Sequence, residues 1–173
     1  MRGLRLLVPA LSLCIAAPLV AQSPVQIALF NPIQIVKEGQ AVKGFRWSIL
    51  YGRNTAMMGL DIGLVSMSTG TGPSGGLQLT LAGITKGPFK GIQLNGLSMV
   101  EGRFVGAQVG LVGMTHESEG LQWNAVNSSW NHRGLQLGVV NYARRTSGIQ
   151  VGLVNIIKEG GQFPIMVIAN WGN

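Results

Sequence analysis

Apolar and polar residues alternate along this chain in a frame that keeps returning. Gly134 to Asn141 reads Gly-Leu-Gln-Leu-Gly-Val-Val-Asn, and fourteen positions later Gly148 to Asn155 reads Gly-Ile-Gln-Val-Gly-Leu-Val-Asn. The same frame starts at Gly76, Gly91, Gly106 and Gly120. Degenerate copies start at Pro24, at Gly44, where Arg46 takes the Gln place, and at Gly59, where Asp61 takes it. From Gly44 to Gly148 the starts are 15, 17, 15, 15, 14, 14 and 14 residues apart. Self-similarity at a near-fixed period makes one architectural unit of nearly the whole chain.

The alternation has a period of two, and Gly, Gln and Asn stand where a helix would carry Ala, Glu and Leu, so each copy predicts a strand of about eight to ten residues. Polar runs between copies, such as Thr85-Lys86-Gly87-Pro88, His116-Glu117-Ser118-Glu119, Asn131-His132-Arg133 and Arg144-Arg145-Thr146-Ser147, have hairpin-loop length and composition. The two faces separate cleanly. Face A is oily: Phe45/Trp47/Ile49, Leu60/Ile62/Leu64, Leu77/Leu79/Leu81, Leu135/Leu137/Val139 and Ile149/Val151/Leu153. Face B carries Gln78, Gln93, Gln108, Gln122, Gln136 and Gln150 with small partners, and almost no charge.

A soluble sheet covers its solvent face with Lys, Glu and Thr, whereas a transmembrane barrel alternates apolar-out with polar-in and keeps charges in its turns. The pattern therefore predicts an all-β antiparallel meander of about ten strands, closed into a small barrel with the six glutamines facing its lumen. Trp47, Trp123, Trp130, Tyr51, Tyr142 and Trp171 would form its aromatic girdle. The rival is a β-solenoid, in which repeated Gln and Asn stack as ladders. Distance speaks against it if each strand is straight: eight residues run about 26 Å, and the remaining six reach back only about 20 Å. The solenoid requires strands of about five residues, with the polar runs forming a second strand.

Residues 1–21 carry the marks of a signal peptide: Arg2 and Arg5, then an apolar stretch from Leu6 to Val20, then Ala21. Residues 22–173 then form a single repeat-built domain, exported to the outer membrane or cell surface, or else periplasmic or secreted. Cys14 lies inside the apolar stretch and leaves a lipoprotein reading open. The mature chain has no cysteine and hence neither disulfide nor thiolate ligand. Its net charge is +5, from 11 basic and 6 acidic residues. The cations are dispersed between repeat cores without the basic stripe and interleaved aromatics of a nucleic-acid surface. Membrane lipid, a surface polysaccharide or a protein are the partners this distribution fits.

Candidate chemistry is sparse. There are two histidines, His116 and His132, and one aspartate, Asp61, with no recognised zinc spacing, nucleophile elbow or phosphate loop. The sequence predicts no enzyme, no cofactor and no metal. His116 to Glu119 reads as an exposed turn. One constellation stands out: Arg46 and Asp61 take the Gln place of adjacent copies on face B, and an unpaired buried charge is costly. An interior ion pair is the expectation, a pore-lining pair the sharper alternative.

The G-[LI]-Q-x-G-[LV]-V-N repeat resembles the surface-repeat proteins of leptospires and several other bacterial groups, best between Gly59 and Asn155. The resemblance implies an exported, surface-associated protein with a structural or interaction role, and transfers no catalytic residue. The alternative function is a secreted or periplasmic lipocalin-like module, with face A turned inward on a small apolar ligand.

Overall fold

The computed structural model describes residues 22–173, which are all-β: β1 (Gln22–Phe30), β2 (Ile33–Gln34), β3 (Ala41–Asn54), β4 (Met57–Ser68), β5 (Ser74–Thr85), β6 (Phe89–Glu159) and β7 (Ile165–Gly172). The signal-peptide and Cys14 expectations lie outside the described residues. β1 pairs with β3, β3 with β4, β4 with β5 and β5 with β6, all in parallel. Only β1–β2 and β6–β7 are antiparallel. Consecutive segments that pair in parallel at one repeat's offset form a β-solenoid. The antiparallel ten-stranded meander and its closure into a barrel are thereby overturned.

The register advances one repeat per coil. Gly44, Gly59, Gly76 and Gly91 lie in one column, and Arg46, Asp61, Gln78 and Gln93 in another. β6 is one extended run of 71 residues winding over itself, and its coils keep the same columns.

The distance objection to the solenoid fails because the coil is not a straight strand and a return. Side chains on a strand alternate, so consecutive outward residues mark a corner. In the coil from Gly134 this happens at Val139-Val140, at Arg144-Arg145 and around Ser147-Gly148-Ile149. Three short sides close about fourteen residues into a loop, and no long return is needed. The polar runs read as hairpin turns are one of these sides.

One corner requires glycine. Gly134 has φ +125°, a conformation open to Gly but strained for other residues. A Cβ there would collide with the carbonyl oxygen of Gly120 in the coil beneath. The corner glycines from Gly44 to Gly148 all share positive φ, so the corners nest at strand-to-strand spacing.

The interior is mostly polar. Apolar burial is confined to small groups such as Val36, Val42 and Met57 near one end, and Phe89, Val100 and Phe104 further along. Both ends are covered. β2 folds back on β1, where the Gln26 side chain accepts from Val36 N at 2.7 Å and donates to Val36 O at 3.2 Å. At the other end β7 runs antiparallel to the last coil, Gln150 opposite Asn170. Covered ends keep open strand edges from templating further pairing.

Candidate interaction surface

The face B residues line the interior. Gln93, Gln108, Gln122, Gln136 and Gln150 are fully buried, and Gln78 nearly so. Each side-chain amide donates to the glutamine one coil earlier, from Gln150 down to Gln78, at 2.7–3.0 Å. The Gln78 amide in turn donates to Asp61 Oδ2 at 2.8 Å. A carboxylate only accepts, so Asp61 fixes which way Gln78 points, and each glutamine then fixes the next. Gln150 Oε1, at the far end, has no partner among the described residues. A second ladder runs the opposite way, with Asn127 donating to Asn141 and Asn141 to Asn155, each at 2.8 Å. Amide ladders of this kind satisfy groups whose burial would otherwise be costly.

Arg46 and Asp61 meet in this interior. The Arg46 guanidinium donates from Nε to Oδ1 at 2.8 Å and from Nη2 to Oδ2 at 2.7 Å, with the two side chains 0% and 3% exposed. Its Nη1 reaches Met67 O at 3.2 Å, and Ser66 Oγ donates to Asp61 Oδ1 at 3.0 Å. The space is packed with side chains, so the pair lines no pore.

Face A points outward. From the corner glycine through the eighth residue of each copy between Gly44 and Asn155, no charged side chain faces solvent, because Arg46 and Asp61 are turned inside. Leu81, Leu111 and Leu153 stand in one column at 62%, 64% and 65% exposure. Trp47 and Trp123 project from the neighbouring column. At a strand spacing of about 4.8 Å, the seven steps from Gly44 to Gly148 make a strip roughly 34 Å long. Monomers rarely leave so large an apolar strip bare. One residue before the corner glycine, on the adjoining edge, stand the exposed Lys43, Lys90 and Arg133, with Glu119, which is bound to Arg103, one coil from Arg133 in the same column. Lys43 and Lys90 share a column through Met58 and Gly75 and have no ion-pair partner among the described residues, whereas the Arg133 charge acts on Glu119.

The other two sides of the coil carry the charged groups, several of them paired with one another. Arg103 binds Glu119 at 2.5 Å, while Arg144 and Arg145 bind Glu159 at 2.7 and 2.6 Å. Hydrogen bonds from these arginines hold both carboxyls below their ordinary range. Trp130 stacks on His116 at 5.9 Å and lies under Arg144 at 4.3 Å, so its ring faces are taken. Trp130 and Tyr142 sit among these groups, and the tryptophans and tyrosines form no girdle. A cleft of about 420 Å³ opens here, lined by Arg103, Glu117, Glu119, His132, Arg133 and Arg145 among others.

Two residues expected in turns are interior. Ser118 and His132 occupy the column that also holds Phe104 and Thr146, all buried, and Ser118 Oγ lies 2.8 Å from His132 Nδ1. Desolvation pulls the His132 pKa down to about 4, against a weaker opposing hydrogen bond at Gly134. The hydrogen bonds of Ser118 go to Gln122, Ser129 and His132, and none reaches a carboxylate, so this is a packed pair without the third group that would orient a base. The signal was present in the sequence: one repeat step separates Phe104, Ser118, His132 and Thr146.

Among the described residues no group of three His, Cys, Asp or Glu is placed to hold a metal, and no helix is long and apolar enough to cross a membrane. No family model, curated protein or solved structure matches the chain.

Proposed function

We propose that the chain is an exported, non-enzymatic surface protein with a structural or interaction role, acting by contact through the outward apolar face. The observation that carries this reading is an uncharged apolar strip on a scaffold whose interior polar groups are mostly paired with one another. A protein folded by interior amides has no folding use for so much exposed leucine and valine. The motif's resemblance to bacterial surface-repeat proteins and the signal-like segment at residues 1–21 point the same way. Face A faces out, so the lipocalin-like alternative loses the inward apolar cup it required.

Fractionation of the native host tests this directly, combined with protease or biotin labelling of intact cells. The expected result is a chain beginning near Gln22, recovered with the envelope and labelled from outside. A chain retaining Met1 and confined to the cytosol would end the proposal.

A further inference from the structure

Resting on that reading, we propose that the apolar face seats itself on an anionic lipid surface, with the solenoid axis parallel to the membrane plane and Lys43, Lys90 and Arg133 at the headgroups. Three observations carry it. The first is the strip itself, which has no charged group facing outward, so burying it in the acyl boundary strands no ion. The second is the direction of the backbone hydrogen bonds. Coils stack along the axis, so backbone N–H and C=O groups are matched within the sheet, and face A presents side chains alone. Lipid penalises unsatisfied backbone severely, and this face has little to penalise. The third is the cationic edge. The stems of Lys43, Lys90 and Arg133 are long enough to lie along the strip's border with their charges in the headgroup layer. Lys43 and Lys90 lack ion-pair partners among the described residues, and Glu119 beside Arg133 is already bound to Arg103, which leaves the edge net positive.

A second copy of the chain is the competing occupant. The mature chain carries +5, which opposes self-association and favours a negative surface. Interfacial binding of this kind adds apolar area to electrostatic attraction, with each cation near an anionic leaflet strengthening it about fivefold.

The test is sedimentation of the mature chain with phosphatidylcholine vesicles, with and without phosphatidylglycerol. Wild type is expected to bind the anionic vesicles more tightly, and to lose that advantage as salt is raised. The triple variant Lys43→Gln, Lys90→Gln, Arg133→Gln should bind them roughly a hundredfold more weakly, with binding to neutral vesicles unchanged. Leu111→Glu should weaken both, and because Leu111 already protrudes, circular dichroism should show the fold intact. Indifference to phosphatidylglycerol, or a triple variant that binds like wild type, overturns the proposal. So does a stable dimer in light scattering that Leu111→Glu dissociates, because the face then belongs to a second copy. The outcome is separate from export: a chain found at the surface that ignores vesicles keeps the function proposed above and loses only the lipid.

Discussion

Between Gly44 and Gly76 the third-position column holds Arg46 and Asp61, whereas from Gly76 to Asn155 it holds six glutamines. The early coils are 15 and 17 residues long, and the longer one detours through Thr69-Gly70-Thr71-Gly72-Pro73. The last coils are 14 residues each and carry both a Gln and an Asn ladder. Both regions keep the columns of the corner glycine and of the third position, although β3 carries a bulge between Ser48 and Tyr51 where it pairs with β4. The difference teaches that the coil tolerates either chemistry inside, provided most interior polar groups find a partner in the same coil or the next. It also shows a division of labour, because the irregular region supplies the one carboxylate that orients the regular one.

The largest effect is expected in the irregular coils. Removing either Arg46 or Asp61 strands its partner's charge in a packed interior, a loss of about 3–5 kcal/mol. The double change to Gln, which continues the glutamine column, should recover most of that. A double-mutant cycle on thermal or urea unfolding checks it, and additive losses would show that the pair is not coupled as its geometry requires.

Acid should discriminate the regions next. His132 sits in the regular coils with a pKa of about 4, against roughly 6.5 in an unfolded chain. Above pH 6.5 both states are neutral and the stability is fully present. Between about 6.5 and 4 the unfolded chain takes up a proton that the folded one refuses, so stability falls with pH, by roughly 3 kcal/mol in all. Urea midpoints across this window should drop, and His132→Gln should flatten the drop. A slope that survives the substitution would place the acid-sensitive group elsewhere.

A smaller loss is expected from Gln122→Ala. It removes the acceptor for Gln136 and Ser129 and the donor to Gln108, at about 1–3 kcal/mol for stranded buried groups. Hydrogen exchange should then show the regular coils opening before the ion-paired ones. The smallest effect belongs to Arg144→Ala, which loses the contact with Trp130 and one exposed pair to Glu159, at about 1 kcal/mol or less.

The repeat, its period and the sorting of residues into an oily and an amide face were all legible in the sequence, because alternation and self-similarity are local. So was the adjacency of Arg46 and Asp61, since one repeat step separates them. What misled was the assumption that each copy runs straight. Val139-Val140 and Ala125-Val126 already break the alternation, and Arg144-Arg145-Thr146-Ser147 lacks the Gly or Asn that a tight hairpin wants. Both are corner signals. Parallel stacking follows from corners, and corners are read from breaks in a pattern rather than from the pattern. Ser118 and His132 were missed for the same cause: a run assigned to a turn was a side of the coil.

The inverted distribution of polarity has a thermal consequence. Unfolding this protein releases few apolar side chains into water and many amides, and the two kinds of surface change the heat capacity with opposite sign. Calorimetry should therefore find a heat-capacity increment well below the ~12–15 cal/mol/K per residue of ordinary domains. The stability curve would be broad and shallow, with cooling weakening the fold little. Hydrophobic attraction, scarce in the interior, would then govern where the molecule settles more than whether it folds.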